Sequence, residues 1–214
     1  MAKAAAHASG ETRTAALYLA LLMAAAGLCG AAFWYLERHG LNPNLLFGDP
    51  AKATQSPFYL GVFSILGLLL WTASALLCGV GARLATSAGL RRFLAGGAAL
   101  TLLLLVDDWL LLHDHVGPVL LHVPQKLFFA AYAALAGGWL LVNRRTVLTE
   151  TPIAYLAAAL VLGAASVFID TRIPHTRVAS VAEDSFKLLA IVSWTFYFAR
   201  ITGRSLQPRG HTAP

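Results

Sequence analysis

Six stretches of mostly apolar residues recur along the chain, near 15–36, 57–79, 92–112, 124–142, 152–170 and 183–202. Each is close to the roughly 20 residues an α-helix needs to cross about 30 Å of hydrocarbon. A segment in that setting must satisfy every backbone N–H and C=O internally, so each stretch reads as a helix. Composition agrees: 58% of the 214 residues are apolar, only 12% are charged, and mean hydropathy is +0.67, well above ordinary soluble domains. The expected fold is therefore an all-α integral membrane protein, a six-transmembrane-helix bundle spanning 15–204. Residues 1–14 read as a disordered cytoplasmic N-terminus and 205–214 as a disordered cytoplasmic tail. The first stretch is too long for the apolar part of a cleavable signal peptide and ends on Phe33, Trp34 and Tyr35, as an interfacial anchor does.

Orientation follows from Lys and Arg. Alternating topology puts Lys3, Arg13, Arg83, Arg91, Arg92, Arg144, Arg145, Arg200, Arg204 and Arg209 on one side, and Arg38, Lys52, Lys126, Arg172, Arg177 and Lys187 on the other. Ten against six makes both termini cytoplasmic. The acids sort oppositely, with Glu11 and Glu150 inside and the remaining eight outside. The net charge of +6 is accounted for by this topology, and no nucleic-acid partner is implied. An Ala-, Gly-, Leu- and Arg-rich composition points to a bacterial cytoplasmic (inner) membrane, with the acidic side facing the periplasm or exterior.

That acidic side carries the chemistry. The stretch LTLLLLVDDWLLLHDH ends a span with Asp107 and Asp108 and continues into His113, Asp114 and His115. Ionisable groups at a span end cost several kcal/mol unless they face a partner, a water cavity or a metal. At 1.5 Å per residue, Asp107 and Asp108 stand about 23 Å above Arg92, and Lys187 about 20 Å above Arg200, so the third and sixth spans place charge at similar depth. Asp170, about 27 Å above Pro152, sits slightly higher on the fifth. Asp107, Asp108, Asp114 and His115 occupy one wedge of the third helix, while His113 points away unless Gly117 and Pro118 end the helix and let it turn inward. Glu183 and Lys187 are spaced i, i+4 in the favourable order, with Asp184 beside them. Ser166 lies one turn below Asp170.

Imidazoles with carboxylates are the ordinary ligand set for Zn or non-haem Fe. The metal-ligand pool is Asp108, His113, His115, His122 and His175. A metal-bound water would be deprotonated by Asp107 or Glu183, and Lys187 would stabilise developing negative charge. Asp114, Asp170 and Asp184 complete the polar site. At the membrane interface such a centre suits a lipid-like ester or amide, so the leading reading is a metal-dependent hydrolase. The ingredients, outward His, Asp and Ser in a multi-helix membrane protein, resemble those of alkaline ceramidase and adiponectin-receptor-like hydrolases. Those proteins carry paired histidines on their last helix, whereas 183–202 contains none, and no HExxH or CxxC appears.

Two other readings use the same residues. A proton- or cation-coupled transporter also lines one membrane face with Asp, Glu, His and Lys, but the inner halves of these spans hold no such residue, and one six-helix chain would need a homo-oligomer to build a path. A non-catalytic protein would use Asp107, Asp108, Glu183, Asp184 and Lys187 as a structural ion-pair network. Trp34, Trp109, Trp139, Tyr35 and Tyr197 read as belt aromatics. Gly79, Gly81, Gly96, Gly97, Gly137 and Gly138 read as close-packing positions. Cys29 and Cys78 lie at different depths and are not expected to pair.

Overall fold

The computed structural model describes residues 29–41, 54–57, 59–174 and 176–206, with isolated positions between 20 and 27. The chain divides into two compact units, residues 1–60 and 61–214. In the first, residues 29–38 are helical (α1), with the Arg38 guanidinium 5.2 Å over the Trp34 ring. Most of the expected first span lies outside the described residues.

The second unit contains α2 (Val62–Leu84), α3 (Ala88–Leu110), a π-helix (Leu112–Leu120), α4 (Gln125–Val142), α5 (Arg144–Glu150), α6 (Ile153–Arg172) and α7 (Arg177–Leu206). Among the described residues there is no strand. Four helices, α2, α3, α4 and α6, are long and apolar enough to cross a membrane. The chain is thus an all-helical protein compatible with membrane residence. At 30 residues α7 is long enough to cross, yet Glu183, Asp184 and Lys187 dilute its apolar character, so it is not among the four.

Local chemistry explains the boundaries. Gly61, at φ 67°, starts α2, several residues later than hydropathy suggests, because the chain turns into the helix through a conformation glycine adopts freely. Ser87 caps α3 by accepting from the Leu90 N–H at 3.0 Å. Pro124 ushers in α4 as a residue with no N–H to satisfy. At Asn143 the chain breaks into α5, a short helix that hydropathy does not foretell.

Helix α7 is the centre of the unit, packed against α2 and α6, while α2 packs on α3. Its inward face presents Trp194, Tyr197, Phe198 and Ile201 to Phe93, Leu94 and Cys78. Tyr197 is fully buried and donates its hydroxyl proton to Thr151 Oγ1 at 2.9 Å, so it is a core residue and not a belt aromatic. Trp139 is likewise inward, stacked on Phe93 at 4.6 Å with its indole N–H on the Phe93 carbonyl at 3.0 Å. Trp34 and Trp109 are exposed. Polar pairs join the helices where hydrocarbon would offer no partner: Ser74 with Thr195 at 2.8 Å, and Trp194 Nε1–H on Thr101 Oγ1 at 3.0 Å.

Only some of the glycines mark contacts. A Cβ on Gly81 would lie 2.5 Å from the Thr202 hydroxyl, and one on Gly96 2.7 Å from the Trp139 ring. Gly97 is similarly tight against Phe198. Gly79, Gly137 and Gly138 have no atom within 4 Å of that position, because they face away from the bundle. Cys29 is exposed, Cys78 is buried, and both are free.

Candidate functional site

Charges from four elements meet at the end of the bundle where α3 stops and α7 begins. The local cause is how α3 terminates. Leu111 takes left-handed backbone at φ 52°, and the chain continues as a π-helix with Val116 N–H bonded to the Leu111 carbonyl at 3.0 Å and Leu121 N–H to the Val116 carbonyl, also at 3.0 Å. Pro118 has no N–H to give to an i→i+4 ladder, and the wider turn tolerates it. The change of pitch rotates His113 inward, where it is buried.

His113 then closes on Asp107. Its Nδ1 lies 2.6 Å from Asp107 Oδ2, and its backbone N–H donates to Asp107 Oδ1 at 3.1 Å. Tyr132 on α4 donates its hydroxyl proton to the same Oδ1 at 2.7 Å. Asp107 is only 4% exposed, and these three bonds offset its removal from water. On the other side of the ring, Nε2 lies 3.3 Å from Asp114 Oδ1, on a side chain that is 46% exposed. An imidazole with a carboxylate at each nitrogen is best satisfied as the imidazolium, which donates from both. Burial works against the His113 cation, but the hydrogen bond to Asp107 and the charges of Asp114 and Asp107 outweigh it, raising its pKa above the ordinary 6.5.

Asp108, one residue on, serves a separate pair. Lys187 Nζ sits 2.6 Å from its Oδ1, and Trp71 of α2 donates its indole N–H to Oδ2 at 2.8 Å. This joins α3, α7 and α2 at one level, as the depth estimate for Asp108 and Lys187 implies. It also corrects the i, i+4 expectation: among the described residues Lys187 pairs with Asp108 and forms no ion pair with Glu183, and the pairing offsets the removal of the Asp108 carboxylate, 13% exposed, from water. Gln125, opening α4, gives its amide protons to Asp114 Oδ1 at 2.9 Å and Asp170 Oδ2 at 2.8 Å. Ser166 does not reach Asp170; its hydroxyl donates to the Glu183 carbonyl at 3.1 Å, fastening α6 to α7. Glu183 is half-buried and Asp184 exposed.

The described members of the ligand pool are not brought together as a group. Asp108 has both oxygens engaged, His115 and His122 are exposed, and His175 lies outside the described residues. Among the described residues no three His, Cys, Asp or Glu side chains are grouped to hold a metal ion. Three contributors escaped the sequence reading: Tyr132, Gln125 and Trp71. Each is a polar-tipped residue in an apolar helix, the one signal that marks Tyr132 and Trp71. Gln125 has the weaker signal of a helix-start position.

Fold and site together define a helical protein with four helices, among the described residues, long and apolar enough to cross a membrane and a histidine–carboxylate centre at one end of its bundle. Residues 14–201 match the family described as Domain of unknown function (DUF8692), and the chain belongs to that family. Neither the curated proteins nor the solved structures contain a match.

Proposed function

We propose that this protein crosses the bacterial inner membrane six times with both termini cytoplasmic, and that the Asp107–His113 pair is a general acid–base site facing the periplasm or exterior. The observation that carries this reading is the 2.6 Å contact between His113 Nδ1 and the buried Asp107 carboxylate. A carboxylate on Nδ1 fixes the ring's orientation and tautomer, leaving Nε2 to exchange a proton. Asp114, half in solvent beside Nε2, links that nitrogen to the outer water. When Nε2 releases its proton it becomes the base that takes one from an attacking water.

A one-sided acid–base role fits the bundle better than carriage across it. Below Asp107 and Lys187, α3 from Phe93 to Val106 and α7 from Leu188 to Ala199 contain no Asp, Glu, His, Lys or Arg, so a proton taken at His113 has no carboxylate, imidazole or amine successor there. The reaction class is hydrolysis of an ester or amide in a lipid-like substrate, reached from the bilayer. Lys187, paired with Asp108, would stabilise the oxyanion.

The test is hydrolysis of a panel of fluorogenic lipid esters and amides by the purified protein in lipid nanodiscs. Wild type should turn over at least one class, and His113→Gln and Asp107→Asn should lower its kcat by about a hundredfold or more, with folding checked by thermal unfolding. Activity unchanged in both variants sinks the general-base reading. Elemental analysis of the same sample addresses the metal reading: a transition metal at one per chain that is lost in His113→Gln would make His113 a ligand oriented by Asp107, with Zn or Fe supplying the activated water.

A further inference from the structure

Between α3 and α4 the chain follows a costlier path than a plain loop needs. Leu111 and His122, which bracket Leu112–Leu120, both hold left-handed backbone at φ 52° and φ 56°, a conformation unfavourable for residues with a Cβ. Between them the i→i+5 ladder is interrupted by Pro118. On its inner face the segment is tied to Asp107 through His113 alone, by the ring and by the backbone N–H. Its outer edge exposes Asp114 and His115 at the start and is apolar and open toward the end, with Val119 54% and Leu120 64% exposed.

Strained ends, an interrupted internal ladder and a single polar latch to α3, with Gln125 on Asp114 and Phe128 against Gly117 as contacts to α4, are the properties of an element with two positions. We propose that Leu112–Leu120 is a hinged cover over Asp107: it turns about Leu111 and His122, is shut while His113 bonds Asp107, and swings on its apolar edge toward the lipid to admit substrate from the bilayer. The bond that latches the cover is also the bond that orients the base, so opening disassembles the site and closing assembles it around whatever has entered. For its purpose this inference rests on the acid–base reading above; the motion itself is measured without reference to activity.

Hydrogen exchange followed by mass spectrometry, on the full chain in nanodiscs, reads the opening directly. Amides of 113–121 should exchange at least about a hundredfold faster than those in the middle of α3 and α7, by a local route. His113→Gln, which keeps the backbone N–H but removes the ring bond, should speed exchange in this segment while leaving α7 unchanged. Leu111→Gly relieves strain only in the shut form and should slow the same amides by about fivefold. Should Asp107→Asn or His113→Gln fail to fold, wild type and Leu111→Gly still decide the matter. Exchange of 113–121 as slow as α3, or exchange in that segment unaltered by Leu111→Gly, overturns the cover. Local opening in a protein without hydrolytic activity removes the proposed reaction and keeps the cover; activity with no local opening does the reverse.

Discussion

Asp107 and Asp108 are neighbours in the chain with separate tasks, and the difference lies in what each carboxylate meets. Asp107 receives His113 twice and Tyr132 once, while Asp108 receives Lys187 and Trp71. Removing one partner from a buried, charge-assisted set costs far more than removing an exposed charge. Asp107→Asn should therefore lower stability by about 3–5 kcal/mol, and Asp114→Asn by less than about 1 kcal/mol, compared by thermal unfolding in the same detergent. The raised His113 pKa has a sign that can be checked. Its stabilising effect is complete below the ordinary value of 6.5 and is lost as pH rises through the higher folded value. Melting temperature should thus fall as pH is raised from about 6 through the alkaline range, and His113→Gln should flatten that slope. A slope unchanged in His113→Gln would assign the pH dependence to other groups.

Helix association here depends on particular close contacts more than on a continuous apolar seam. Helices α2 and α7 meet where Gly81 faces Thr202, whose hydroxyl also donates to the Leu77 carbonyl at 2.8 Å. A methyl at Gly81 would force that hydroxyl away. Gly81→Ala should destabilise by about 1–3 kcal/mol, whereas Gly79→Ala, with open space at the same position, should be neutral or gain up to about 1 kcal/mol from helix propensity. Equal effects of the two substitutions would contradict the contact. Helix α4 differs from the others in having no fully buried residue; Tyr132 and Trp139 are its specific links to α3.

Across the whole molecule, the charge distribution and the bundle make one arrangement. The histidine–carboxylate centre occupies the end where α3 finishes and α7 starts, and Arg91, Arg92, Arg144 and Arg145 occur at the opposite helix ends. With His115 and Arg145 both exposed, a topology test follows in a background where Cys29 and Cys78 are replaced. A cysteine at position 115 should react with an impermeant maleimide added to intact cells, and one at position 145 should react only after lysis. The reverse pattern would place the acid–base centre in the cytoplasm.

Apolar stretches of span length foretold helices and roughly where α2, α3, α4 and α6 run, with α2 starting several residues late, since so long an apolar stretch satisfies its backbone internally as a helix. The cost of an isolated charge likewise made the meeting of Asp108 and Lys187 legible from depth. The partner choices were not legible. Whether Lys187 would take Glu183 or Asp108, whether Tyr197 would sit in the belt or the core, and whether His113 would face in or out all depend on helix rotation and end geometry. Those are set by contacts between residues distant in sequence. His113 shows why most clearly: at ideal α-helical pitch it points away from Asp107, and the left-handed Leu111 with the π-turns around Pro118 brings it back. Only the tertiary structure decided that, since such a turn is stable where Asp107 receives two bonds from His113 and Phe128 packs against Gly117, a set of contacts no local spacing encodes.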